Sequence, residues 1–272
     1  MTVSPRNCER VVLIGWGAIG TAVARLLAEV QSEARIVAVA VRDPARPRST
    51  LPDGARLISR PAELSDVDAD LVIEAAGRDS VAPWARAALG AGVDFVVSST
   101  SALAEAALLD ELCGLARTNR AQLIVQPGAL GGVDALAAAR HMGLARVEHR
   151  IVKPAHAWAG TEAESLCALN ALDAPVAFFT GTAAEAAARF PQNANVALTT
   201  ALAGIGPERT RITLIADPAA TLNRHEITAS GDFGTLDVQI ANRPLPENPK
   251  SSAMTALNLV RLIGNRKAGL VV

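Results

Sequence analysis

Apolar, β-branched runs recur through the first half of the chain, at residues 11–14, 36–41, 71–75, 95–97 and 123–125. Ala/Leu-rich stretches of helical length stand among them and predict helices over 18–29, 81–91, 102–118 and 134–142. Strands that are apolar throughout, rather than alternately, are buried on both faces, and helices between strands make crossovers that build a parallel sheet. The first half therefore reads as a doubly wound α/β domain.

After about residue 145 the rhythm changes. Strands are predicted over 147–152, 176–180, 210–216, 223–229 and 235–241, and the last three follow one another through short, turn-rich links. Such succession predicts antiparallel pairing and a second α+β unit with a mixed or antiparallel sheet, whose helices cover 183–189 and 195–202. Residues 242–249, which hold three prolines, read as a link that no central strand tolerates. A last helix over about 251–263 follows. The predicted division is 1–130 for the first domain and 131–247 for the second, with the segment from about 248 packing back onto the first.

Composition narrows the function classes. With 26 basic and 27 acidic side chains the formal charge is -1, which provides no basic excess for nucleic acid or an anionic membrane surface. Five Phe, three Trp and no Tyr leave the core to aliphatic residues and disfavour base stacking. No run approaches the ~18 apolar residues that span a bilayer, and the N-terminus lacks a secretory pattern. Cys8, Cys113 and Cys167 form no CxxC pair and read as free thiols, which suits a cytoplasmic protein.

Chemistry begins at Gly15-Trp16-Gly17-Ala18-Ile19-Gly20, which follows a predicted strand and opens a predicted helix. In that context GxGxxG is a phosphate-binding turn of Rossmann type. Gly15 permits the turn, Gly17 lets backbone approach a pyrophosphate, and Gly20 lets helix and strand pack closely, while the amides at the helix start, with Ala18 and Ile19, face the anion. Beyond the second strand stand Arg42 and Asp43. Asp43 suits the adenosine ribose of NAD and Arg42 the 2′-phosphate of NADP, so the choice between the two cofactors stays open.

The four histidines, His141, His149, His156 and His225, show no metal-ligand spacing. His141, near a helix end, and His149, in the charged stretch VEHR, read as surface residues, and His156 falls in a loop beside a basic neighbour. His225 lies on a predicted strand in a unit otherwise poor in groups that titrate near neutrality, which makes it a candidate general base; a half-buried sheet histidine is the other reading. Asn193 and Asn195 precede or open a helix and suit capping or a ligand. Residues 248–252, with Lys250, Ser251 and Ser252, are placed at the start of the last helix, where a carboxylate is welcome and where capping would equally explain the serines.

Together GWGAIG, QPGALGGVDAL, FPQNANVA, NRHEI and ENPKSSAMTA resemble the L-aspartate dehydrogenases over nearly the whole chain. The glycine turn is shared by many oxidoreductases, whereas the four later segments in this order are much more specific. The resemblance implies oxidative deamination of L-aspartate to oxaloacetate and ammonia through iminoaspartate with NAD or NADP, in some members feeding NAD biosynthesis, by a homodimer. It also implies that His225 is the catalytic histidine and that Ala129 and Asn195 contact the nicotinamide. Lys250, Lys153 and Asn193 are the candidate substrate contacts. A related two-domain reductase, homoserine dehydrogenase-like or dihydrodipicolinate reductase-like, and a non-catalytic dinucleotide sensor are the alternatives.

Overall fold

A central strand of a doubly wound sheet has no polar face to show, and β1 (Arg10–Ile14) obeys this beyond its first residue: Val11, Val12 and Leu13 are completely buried. In the computed structural model, which describes residues 8–46, 48, 51–191 and 194–272, β1 leads into α1 (Ala18–Glu29) and β2 (Arg35–Ala40). Then come β3 (Arg56–Ile58), β4 (Leu71–Glu74), α2 (Arg78–Gly90), β5 (Asp94–Val97), α3 (Ala106–Thr118) and β6 (Leu123–Val125). The six strands are ordered β3-β2-β1-β4-β5-β6 and pair in parallel throughout. The order reverses between β1 and β4, and beyond the carboxyl ends of strands at such a reversal an open sheet binds its ligand.

A buried carboxylate holds that end together. Glu74 closes β4 with no exposed surface, and its two oxygens accept from the amides of Ala76 and Gly77 (both 2.8 Å) and the amide and hydroxyl of Ser99 (both 2.9 Å), while the Ser80 hydroxyl, 3.1 Å away, donates chiefly to the carbonyl of Gly77 (2.6 Å). Four donors repay the desolvation of a charge that would otherwise be very costly, and they tie the exit of β4 to the exit of β5.

The chain up to Gln126 and the segment Ala256–Val272 form one unit, and Pro127–Thr255 forms the other. Arg266 anchors the C-terminal segment within the first: its guanidinium bonds Asp94 (2.7 Å), pairs with the buried Glu9 and reaches the carbonyl of Asp70.

The second unit runs α4 (Val133–Ala139), β7 (Leu144–Pro154), α5 (Ala163–Leu166), β8 (Val176–Thr182), α6 (Ala183–Arg189), α7 (Asn195–Ala203), β9 (Arg211–Asp217), β10 (Asn223–Gly231) and β11 (Gly234–Asn242). Then follow β12 (Pro244–Leu245), β13 (Asn248–Ser252) and α8 (Ala253–Asn265). The mixed sheet is ordered β11-β10-β7-β9-β8. Its inward face carries Ile151, Ile212 and Leu214 against Ala197 and Ala201 of α7 and a cluster of Trp158, Phe179 and Phe190. Its other face pairs Arg146 with Glu148 (2.8 Å) and Arg150 with Glu226 (2.9 Å).

Three expectations need correction. The strands after residue 210 do not pair in simple succession: β10 pairs antiparallel with β11 and β7, whereas β9 lies on the far side of β7 and is parallel to it. The link 218–222 needs to bridge only one intervening strand, roughly 10 Å, and the helices between β7 and β9 provide the long crossover that parallel neighbours require. The proline-rich stretch is not wholly a link, since β12 and β13 make a two-stranded antiparallel pair, a setting in which Pro244 interrupts no central ladder. The last helix consequently starts at Ala253, so residues 248–252 are strand and not helix start, and the buried Oγ of Ser252 has no hydrogen-bond partner, so it caps nothing.

Glu74→Gln replaces an acceptor by a group that must present an N–H to converging donors. It is expected to lower unfolding stability by about 2–4 kcal/mol, read by urea denaturation; a loss below ~0.5 kcal/mol would show that the four-donor cage is not formed.

Candidate active site

The glycine turn has the geometry its spacing predicts. Gly15 has φ +98°, and a Cβ there would lie 2.7 Å from the carbonyl oxygen of Ala75. A Cβ on Gly20 would collide with the carbonyl of Gly15, which sets how closely α1 packs on the strand exit. Around Gly17 there is open space, and this residue stands at the N-cap of α1 with no capping side chain. The first amides of the helix, at Ala18, Ile19 and Gly20, are therefore the ones a pyrophosphate would meet, and the residues present fit a dinucleotide. Arg42 and Asp43 follow β2, both exposed; the Asp43 carboxylate also accepts from the amide of Ala45 (2.9 Å).

In the second unit two imidazoles meet inside the sheet. His149 on β7 is opposite Ile227, and His225 on β10 is opposite Ile151, so the rings are diagonal neighbours on the inward face. His149 has no exposed surface and His225 only 2%. Nε2 of His149 lies 3.2 Å from Nδ1 of His225, and Nδ1 of His149 lies 2.9 Å from the hydroxyl of Thr200 on α7, itself fully buried. Burial holds His149 down at about 3. Burial first, then the nearness of His149 and Lys153, pushes His225 well below the usual imidazole range, so both rings are neutral near pH 7.

Lys153 lies on the same face of β7, also buried, with Nζ 5.2 Å from the ring centre of Trp158. Ala129 is buried, and its carbonyl accepts from the buried side-chain amide of Asn242 (2.7 Å). Asn195 is the first residue of α7, whose N-cap position is Ala194, so capping is not its role. Asn193 and the side chain of Lys250 lie outside the described residues. His141 and His156 are exposed, whereas His149 is a correction: the charged neighbours of VEHR face outward and the histidine between them faces in. Among the described residues no cluster of His, Cys, Asp or Glu is arranged to hold a metal ion, and no helix is long and apolar enough to cross a membrane.

An L-aspartate dehydrogenase of Brucella anthropi is 59% identical to the chain over 97% of its length and 98% of its own. The chain belongs to the L-aspartate dehydrogenase family. The relative from Pseudomonas aeruginosa is 39% identical over 94% of the chain and 96% of its own length. Residues 134–266 match the family described as aspartate dehydrogenase, C-terminal, and residues 15–126 match the NAD-binding domain of homoserine dehydrogenase. The first unit of this aspartate dehydrogenase family member is therefore an NAD(P)-binding domain. The crystal structure of aspartate dehydrogenase from Thermotoga maritima shares the fold, with a TM-score of 0.76 at 23% identity over 97% of this chain and 99% of that one. Dihydrodipicolinate reductase from Paenisporosarcina shares it more loosely, with a TM-score of 0.53 at 14% identity over 94% and 95%.

Sequence reasoning missed His149, Thr200, Asn242 and Glu74. For His149 the signal was available: Val147, His149 and Ile151 alternate with Arg146, Glu148 and Arg150, and a period of two places the histidine with the apolar set.

Because both folded imidazoles stay neutral while unfolded ones titrate near 6.5, the unfolded state binds more protons below that pH. Stability contributed by these rings is complete above about 7 and is lost as pH falls. Between pH 7 and 5 the loss amounts to about 2 kcal/mol per ring. Urea denaturation at the two pH values should show this in the natural protein and about one ring's share less in His149→Asn; equal pH dependence in both would refute a neutral, desolvated His149.

Proposed function

We propose that this chain is an NAD(P)-dependent L-aspartate dehydrogenase in which His225 is the general base. The observation that carries the reading is a neutral imidazole held at 2% exposure in the second unit, in a chain whose first unit binds a dinucleotide. The names of the relatives supply the substrate.

An ammonium carbon does not release hydride, so L-aspartate must react as the free amine. A neutral His225 can take that proton. A bound nicotinamide supplies the hydride acceptor. That first proton passes on to solvent, which is the proton released overall; water then adds at the imine carbon of iminoaspartate, and His225 takes a proton from it and returns it to the departing nitrogen, so that ammonia leaves oxaloacetate. In sum, aspartate, water and NAD(P)+ give oxaloacetate, ammonium, NAD(P)H and one proton.

A strongly depressed imidazole is a poor base, and the substrate itself mends this. Two carboxylates brought beside His225 raise its proton affinity by Coulomb attraction, and Lys153 is the buried cation placed to take one of them. The base thus gains strength only when the diacid is present. The Ala129 backbone and the Asn195 amide contact the nicotinamide, and Arg42 and Asp43 take the adenosine ribose, with either NAD or NADP.

We also assign the protein to the cytoplasm, supported by three free thiols among the described residues, and to a homodimer, which light scattering tests.

The decisive assay follows NADH or NADPH oxidation with oxaloacetate and ammonia. His225→Ala is expected to lower kcat by roughly 10³-fold while dinucleotide affinity is kept. An unchanged kcat would remove His225 from the mechanism, and turnover on another oxo acid but not oxaloacetate would replace the substrate.

A further inference from the structure

The ring that touches His225 is itself held by one hydroxyl, and that hydroxyl has a single proton to give. Thr200 Oγ1 lies 3.0 Å from the carbonyl oxygen of Val196, one turn earlier on α7, and 2.9 Å from Nδ1 of His149. A carbonyl can only accept, so this back-bond to the helix claims the hydroxyl proton. Thr200 must then accept from His149, which requires a proton on Nδ1 of His149 and leaves its Nε2 bare. A bare Nε2 at 3.2 Å in turn requires a proton on Nδ1 of His225. The second nitrogen of His225 is left as an acceptor.

We propose that Thr200 and His149 are positioning residues that set the tautomer of His225, so that its Nε2 presents a lone pair and not a proton. The functional consequence rests on the reading of His225 as the base; the tautomer assignment does not. With the opposite assignment, Thr200 donates to His149, His149 donates to His225, and Nε2 of His225 carries a hydrogen and so has no lone pair with which to take a proton from amine or water.

The same line of bonds steadies the protonated base. When Nε2 of His225 gains a proton, its Nδ1–H stays bonded to Nε2 of His149 at 3.2 Å, whose Nδ1–H remains on Thr200. The positive charge stays on His225, beside the substrate carboxylates that favour it. His225 then returns a proton to the leaving ammonia.

Among the described residues of the strands and helix around the pair, no other charged group competes for it. On β7 the inward cation is Lys153, which acts on His225. On β10, Arg224 bonds Glu226 (2.8 Å), and Glu226 also bonds Arg150 (2.9 Å), all at positions of opposite parity to the histidines. The helix α7, with sequence NVALTTALA, brings no charge at all. The tautomer is therefore decided by hydrogen bonding along one line.

The test reads the tautomer directly. In protein labelled with ¹⁵N-histidine, long-range ¹H–¹⁵N correlation at pH 8 separates Nδ1–H from Nε2–H rings, and the chain has only four histidines to assign. Nδ1–H on both His149 and His225 is expected, and Nε2–H on both would overturn the proposal. Thr200→Val keeps the shape and removes the hydroxyl. It should abolish the Nδ1–H signature of His149 and lower kcat by roughly 10-fold or more, with KM for the dinucleotide unchanged, while Thr200→Ser restores both. Unchanged spectra and kcat in Thr200→Val would also overturn it. Activity persisting in His225→Ala would sink only the base reading, because the spectrum is recorded without substrate.

Discussion

Two imidazoles placed in an apolar sheet interior must be neutral, and each neutral ring nitrogen there must find a partner or a purpose. That requirement governs much of the second unit. His149 and His225 can meet only if β7 and β10 keep the register that sets Ile227 opposite His149 and Ile151 opposite His225. A slip of β10 by one residue would turn His225 to the charged face and leave His149 behind. Thr200 must arrive from α7 at the same depth, which fixes the rotation of that helix over the sheet. Asn195, which opens the same helix, is positioned by the same packing.

The first unit solves a related problem with a different group. There the polar demand comes from strand exits that must be shaped for a dinucleotide, and a buried carboxylate, Glu74, gathers four donors from the turns after β4 and β5. The glycine turn works by subtraction: side chains are missing where the turn passes Ala75 and where the pyrophosphate would rest. A polar cage and a set of missing side chains together make rigid backbone donors out of loop ends, and preorganised donors cost nothing to orient when an anion binds.

Legibility along the chain followed burial. Strands buried on both faces announce themselves as apolar runs, and all five predicted in the first half end within a residue of where the fold ends them. The three-residue edge strand β3 carries too little pattern to be seen. The helix predicted from 102 begins at Ala106, after a tight turn over Thr100–Ala104. In the second unit, alternation located the strands but could not say which strand would lie between β9 and β10. His149 was misjudged because its charged neighbours drew the eye from the period of two. Asn242 sat in a stretch dominated by prolines, and only the fold brings its amide to the carbonyl of Ala129.

By itself the chain of residues determined what depends on neighbours in sequence: the apolar runs that become parallel strands, the glycine spacing of the phosphate turn, and the candidacy of His225. It did so because local pattern dictates which face is buried and which backbone angles are open. Tertiary structure alone decided the protonation state of that histidine. Desolvation by the sheet and helix around it, a second imidazole 76 positions away and a hydroxyl from α7 set its charge and its hydrogen bond, and contacts at that separation leave no trace in local pattern.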